Sequence, residues 1–249
     1  MIFHFFTNIA KLNIHFIVYK SIIIYNRMKL FSLNVWFSDY LRHERTQILT
    51  KYLLENDYDI IFLQEVIPCV LAYIYQTLQE KYPHIHTDLE DDFYGTCIIS
   101  KYELKNREIL KFKNTRMRRG LLKADVNDIT FVTTHLESEF GKLQNTKVDQ
   151  FNDSIELLSI NDKVFLIGDT NLTPKNDLQL NLRDFEDAYL KLDNTKENKY
   201  TYDGVENPFL NNKIRSRIDR TYTKNIEVKS FDLEKEFIMS DHYGLKINI

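Results

Sequence analysis

A chain of 249 residues with 43% hydrophobic and 28% charged side chains has the ordinary composition of a soluble globular protein and ample apolar material for a core. Its formal net charge of −3 excludes a global basic field, so a nucleic-acid partner would have to be met by a local patch. Two cysteines, Cys69 and Cys97, are too few for a thiolate metal cluster and fit a reduced intracellular protein.

Residues 1–27 are apolar and aromatic but are interrupted by Lys11, Lys20 and several Asn and His. No run reaches the roughly 18–20 apolar residues of a spanning helix. The basic start and small-residue cleavage site of a signal peptide are also missing. We read 1–27 as an N-terminal extension or a misplaced start, and 28–249 as a single domain beginning at Met28.

The stretch from Lys29 to Trp36 alternates as a strand and brings Asn34 to its carboxyl end. Leu41, Arg45, Ile48, Leu49, Tyr52 and Leu53 then repeat at helical spacing. Asp59 to Val66 is a buried strand ending at Glu65, and Val70, Leu71, Ile74 and Leu78 mark a second helix. Short strands are expected near 96–100, 104–111, 121–126 and 129–134, the last running into His135. Leu143, Val148, Phe151, Ile155 and Leu158 give another amphipathic helix.

Val164 to Asn171 is the most informative stretch: an apolar run into Gly168 that delivers Asp169 and Asn171 two positions apart. A helix near 181–192 and strands near 217–224, 226–232 and 243–249 complete the pattern. Helices and strands in this order imply two packed sheets with helices outside, a four-layered α/β sandwich.

Asn34, Glu65, His135, Asp169, Asn171, Asp219, Asp241 and His242 all fall at strand ends. Any one alone is satisfied by turn chemistry or a structural histidine. Their recurrence predicts one polar pocket at a sheet edge. Carboxylates without cysteines suit a hard cation, and that chemistry suits phosphoryl transfer.

The motifs Leu-Asn34-Val-Trp, Leu-Gln-Glu65-Val, Thr-His135-Leu-Glu-Ser, Gly-Asp169-Thr-Asn171-Leu, Arg217-Ile-Asp219-Arg and Ser-Asp241-His242-Tyr-Gly-Leu resemble the endonuclease/exonuclease/phosphatase superfamily, in its order and spacing from about residue 29 to 249. His-Leu-Glu-Ser, Gly-Asp-Thr-Asn-Leu, Ser-Asp-His-Tyr-Gly-Leu and Met117-Arg118-Arg119-Gly-Leu-Leu are most similar to its 5′-tyrosyl-DNA phosphodiesterase branch.

The resemblance implies a deoxyribonuclease I-like sandwich and a Mg²⁺-dependent hydrolase, with Mn²⁺ as substitute, that frees a 5′-phosphate from protein–DNA adducts. It implies Glu65 and Asp241 as metal holders, Asp169 as the base for water and Asn171 as its positioner. Asn34, His135 and His242 would be donors to the phosphoryl group, with Asp219 orienting His242. Arg119, Tyr94, Tyr202 and Ser138 would meet the DNA.

The expected protein is a soluble intracellular monomer, nuclear or cytoplasmic, without a stable membrane partner, acting on DNA or on RNA ends. Phe140, Thr173-Pro174 and Tyr202 depart from residues the family tends to carry at DNA-contact positions, which loosens the substrate more than the reaction. A sister activity on abasic DNA or on lipid and inositol phosphates is the alternative. A binding module without catalysis is the third reading.

Overall fold

In a computed structural model, residues 27–90, 93–138, 145–192 and 199–249 are described. The N-terminal extension up to residue 26, Phe140 and Leu143 lie outside the described residues. In chain order the elements are β1 (Lys29–Asn34), α1 (Arg42–Asn56), β2 (Ile60–Val66), α2 (Pro68–Leu78), β3 (His84–Thr87), β4 (Gly95–Ser100), β5 (Lys105–Lys111) and β6 (Gly120–Val126). Next come β7 (Ile129–His135), α3 (Thr146–Leu158), β8 (Val164–Asp169) and a 3-10 turn over Pro174–Gln179. The chain ends with β9 (Glu186–Asp187), α4 (Ala188–Lys191), β10 (Tyr202–Asp203), β11 (Arg215–Ser216), β12 (Asp219–Lys224), β13 (Ser230–Glu234) and β14 (Gly244–Asn248).

Two mixed sheets form, β13-β14-β1-β2-β4-β3 and β5-β6-β7-β8-β12-β9, and β10 pairs with β11. The central strands are apolar on both faces because each face meets a different core. Leu30, Ile60, Phe62, Phe131, Phe165 and Ile167 pack between the sheets. Their neighbours Phe31, Leu33, Ile61 and Leu63 turn outward onto Leu49 and Leu53 of α1 and Ile74 and Leu78 of α2. Val132, Val164 and Leu166 turn outward onto Phe151, Ile155 and Leu158 of α3. The result is the four-layered α/β sandwich that the element order implied.

Two local expectations fail, and one edge strand carries no sequence signal. Leu41 and Ile48 are 45% and 40% exposed, because α1 buries Arg45, Thr46, Leu49, Thr50, Tyr52 and Leu53 instead. The helix expected near 181–192 shrinks to α4, since Asp187 caps it by accepting from the Tyr189 and Leu190 N–H groups. β3 pairs with β4 at the sheet edge, where four half-buried residues give no clear apolar alternation. No helix among the described residues is long and apolar enough to cross a membrane.

Gly168 sits just before Asp169 with φ of 149°, and a Cβ there would lie 2.0 Å from the Thr134 carbonyl oxygen. Gly168→Ala should therefore destabilise the fold by roughly 2–4 kcal/mol, read as the urea midpoint. A midpoint unchanged from the parent would show that β7 and β8 can separate without loss.

Candidate active site

Side-chain alternation carries the apolar inter-sheet face into polar groups at one end of the strands. On β1 the face reads Leu30, Ser32, Asn34, and on β7 it reads Phe131, Thr133, His135. On β8 it reads Phe165, Ile167, Asp169. β12 runs antiparallel to β8 in a register that sets Asp219 opposite Asp169. Gln64 bonds Ser32 at 3.2 Å and Thr133 at 3.0 Å, tying the sheets together where the core turns polar.

Glu65 should point outward by the same alternation. A bulge between Leu63 and Val66, with Glu65 at φ of 58°, returns Val66 to the outer core and leaves Glu65 free of it. Its Oε2 accepts the Phe37 N–H at 3.1 Å, and its Oε1 lies 3.9 Å from His135 Nε2.

Asp169 is 2% exposed. Its Oδ1 accepts the Asn171 N–H at 3.0 Å and its Oδ2 accepts the Asn34 amide at 2.9 Å. The Asx turn and the functional placement thus coexist. Burial, followed by the nearby Asp219 charge, pushes the Asp169 carboxyl up to about 7, against the His242 charge and the Asn34 hydrogen bond.

The two histidines differ. Arg119 Nη1 lies 2.7 Å from His135 Nδ1. A guanidinium only donates, so that nitrogen accepts, and the proton of a neutral ring sits on Nε2. Nε2 lies 3.4 Å from Asp169 Oδ2. Burial, helped by the Arg119 and His242 charges, holds His135 well below its ordinary pKa.

His242 Nδ1 donates to Asp219 Oδ2 at 2.8 Å, and its Nε2 stands 3.9 Å from Asp169 Oδ2. Burial alone would neutralise it, but the carboxylates of Asp219, Asp169 and Asp241 overcome that and raise its pKa well above the ordinary value. The site therefore holds one neutral and one cationic imidazole.

The sites expected to meet DNA are placed unevenly. Arg119, expected to meet DNA, lies inside the fold. It is 5% exposed, and its guanidinium is committed to His135, to the Tyr94 hydroxyl at 3.1 Å and to the Tyr94 ring at 5.1 Å. It reaches the site through His135. Tyr94 also stacks on Phe37 at 4.8 Å with an 11° interplanar angle. Tyr202 meets the His242 ring edge-on at 5.4 Å. Ser138 is half-buried, with its hydroxyl 3.3 Å from Met117 Sδ.

Asp169, Asp219 and His242 offer ligand atoms within 4.8 Å of one another. Within that group Asp219 Oδ2 is already engaged by His242 Nδ1 at 2.8 Å. Glu65 and Asp241 suit a metal better. Both are oxygen donors, and burial raises the pKa of each carboxyl, which marks a charge short of compensation.

Sequence reading missed several supports. Arg45 gathers the carbonyls of Val35, Trp36, Ser38 and Tyr40 under the β1–α1 loop. Thr201 Oγ1 accepts the N–H groups of Ile218 and Asp219. Glu137 takes the Arg116 and Met117 N–H groups and the Thr115 hydroxyl. Only Glu137 had a signal, an acid in an apolar strand end; the other two contacts depend on tertiary placement.

The sandwich and its polar strand-end cluster define a hydrolase-like scaffold. Residues 31–242 match the Endonuclease/Exonuclease/phosphatase family, and the chain belongs to that family. Its relatives include tyrosyl-DNA phosphodiesterase 2 of Bos taurus, 31% identical over 230 residues, covering 81% of this chain and 62% of the relative. The Homo sapiens protein of the same name is 29% identical, covering 88% and 68%. The chain thus spans about two thirds of the length of these relatives. A crystal structure of Danio rerio TDP2 complexed with single-strand DNA product is 25% identical, with a TM-score of 0.77 over 89% of this chain and 98% of that one. Staphylococcus aureus beta toxin shares the fold at 16% identity and a TM-score of 0.71, covering 88% and 99%.

Two measurements test these electrostatics. A carboxyl whose pKa is raised on folding adds stability that is full below the unfolded value near 3.8 and lost as pH rises through about 7. Asp169→Asn removes that loss, so at pH 8 in chelator its unfolding temperature should exceed the parent's; a lower one contradicts the assignment. Histidine ¹⁵N spectra at pH 7 in chelator should show His135 neutral with an unprotonated Nδ1 and His242 doubly protonated. Two neutral rings would refute this.

Proposed function

We propose that the chain is a divalent-metal-dependent phosphodiesterase that removes tyrosyl groups from the 5′ ends of DNA and leaves a 5′-phosphate, as in repair of protein–DNA adducts. The observation that carries this reading is the Asp169 carboxylate, held between an Asn34 amide, a neutral imidazole and a cationic one. The names of its relatives support the substrate class.

A base with a pKa near 7 can take a proton from water at neutral pH. Asp169 fills that role, with Asn171 held beside it by its own N–H bond to Asp169 and by its amide bond to the Leu136 carbonyl. The water oxygen forms the new P–O bond as its proton passes to Asp169, and the tyrosyl oxygen departs in line. Asn34, the His135 Nε2–H and the His242 cation donate to phosphoryl oxygens as charge builds on them. Asp219 keeps His242 charged and fixed, and Arg119 keeps the His135 proton on Nε2.

Glu65 and Asp241 would hold Mg²⁺, with Mn²⁺ as substitute, whose chemistry when bound is to neutralise charge on a non-bridging phosphoryl oxygen. A tyrosyl phenolate, with a pKa of about 10, departs without the help that a sugar alkoxide needs. Tyr202, Tyr94 and Ser138 border the site as surfaces for the nucleic acid, and the working form is a monomer.

A 5′-phosphotyrosyl oligonucleotide should release tyrosine in Mg²⁺ and none in chelator. Asp169→Asn and His242→Ala should each lower kcat at least about a hundredfold without unfolding the protein. Near-native turnover in either would overturn the roles. Faster cleavage of an abasic duplex or an inositol phosphate would reassign the substrate, and DNA binding without turnover in Mg²⁺ or Mn²⁺ would leave only a binding module.

A further inference from the structure

Glu137 is a buried carboxylate that the proposed chemistry does not use. Among the described residues its oxygens are met by neutral donors only. These are the Thr115 hydroxyl at 2.9 Å, the Arg116 N–H at 3.0 Å, the Met117 N–H at 3.1 Å and the Gln150 amide at 3.4 Å. Its own N–H donates to Gln150 Oε1 at 2.9 Å, which ties it to a fully buried residue of α3. A buried charge without a counter-ion is costly unless its hydrogen bonds are complete. Here they come from three consecutive residues, 115–117, of the turn between β5 and β6.

That turn leads into Arg119. Thr115 Oγ1, while donating to Glu137, accepts the Arg119 N–H at 2.7 Å, and the Arg119 carbonyl accepts the Phe112 N–H at 3.1 Å. The Arg119 backbone is thus fixed from both sides. Its guanidinium is not fixed by charge. Among the described residues it meets no carboxylate; its partners are His135 Nδ1 at 2.7 Å, the Tyr94 hydroxyl at 3.1 Å and Met117 Sδ at 3.7 Å, and its buried Nε has no hydrogen-bond partner. With neutral partners only, the aim of the side chain is set by where the turn puts its backbone. Glu137 stands two residues after His135, so one strand end carries both the imidazole and the carboxylate that places its partner.

We infer that Glu137 is a positioning residue for the reaction. Through Thr115 it holds Arg119 against His135 Nδ1, which keeps that nitrogen an acceptor and turns the Nε2–H toward the ester. The step from His135 to the ester rests on the hydrolase reading above; the hold on His135 does not. A donor misplaced by about 1 Å costs on the order of a hundredfold in rate, so a turn remote from the ester is felt there.

Three variants of the full chain test this: Glu137→Gln, which turns an acceptor oxygen into an amide donor, Thr115→Val, which removes one hydroxyl, and Thr115→Ser, which keeps it. In ¹⁵N spectra at pH 7 in chelator, the first two should move the His135 Nδ1 signal downfield, as for an imidazole nitrogen that has lost its donor. Thr115→Ser should leave it at the parent position. On a 5′-phosphotyrosyl oligonucleotide, kcat should fall about tenfold at unchanged KM in the first two and stay parent-like in Thr115→Ser. A role confined to stability would lower the urea midpoint and leave the Nδ1 signal in place. That result in Thr115→Val, which keeps the carboxylate, would overturn the inference even where Glu137→Gln fails to fold. A shifted signal with unchanged kcat would overturn the positioning role. If the parent turns over no tyrosyl adduct, the hydrolase reading falls, and the spectra decide by themselves whether Glu137 holds Arg119 on His135.

Discussion

The structure depends on keeping one carboxylate charged where water barely reaches it. Asp169 is placed by a buried strand, and removing a carboxylate from water costs several kcal/mol unless its oxygens are satisfied. Four groups from distant parts of the chain meet that cost: the Asn34 amide from β1, the Asn171 backbone, His135 from β7 and His242 before β14. They do so incompletely, and the carboxyl stays poised near neutrality. A fully satisfied carboxylate would be a poorer base, so in the proposed role the residual cost would supply the reactivity.

The opposite states of the two histidines follow from their partners. His135 faces a guanidinium and cannot afford a second positive charge; His242 faces three carboxylates and cannot afford to lose its own. Exchange of those partners would leave the Asp169 pocket with a cation on the wrong side. The pair works because Arg119 is buried against Tyr94 and cannot swing out to solvent.

Much of this was legible in the sequence because it obeys a period of two. Asn34, His135, Asp169 and Asp219 continue the inward parity of their strands, so a strand boundary was enough to bring them to one edge. Glu65 breaks that parity; its place at a strand end marked it, but the bulge with a left-handed residue that turns it to the site has no apolar signature. Arg45 read as an ordinary helix-face residue and Arg119, through the resemblance, as a contact for DNA. Their burial is decided by carbonyls and rings far away in sequence, which periodicity cannot report. The short α4 is the same lesson, since Asp187 serves Arg217 and the helix cap together.

The site also concentrates backbone strain. Trp36, Glu65, Arg118 and Asn171 all have φ between 52° and 59°, and Asn171 alone is of a type that tolerates this readily. Each of the others costs on the order of 1–3 kcal/mol, so something must hold it there. Arg45 holds the carbonyls around Trp36, the Phe37 N–H holds Glu65, and Glu137 holds the turn leading to Arg118. Glycine at these positions would relieve the strain but also free the loops. With only 6 glycines in the chain, the turns at the site are made by residues whose side chains bind or brace, and the loop that Arg45 gathers is the one whose Phe37 N–H holds Glu65.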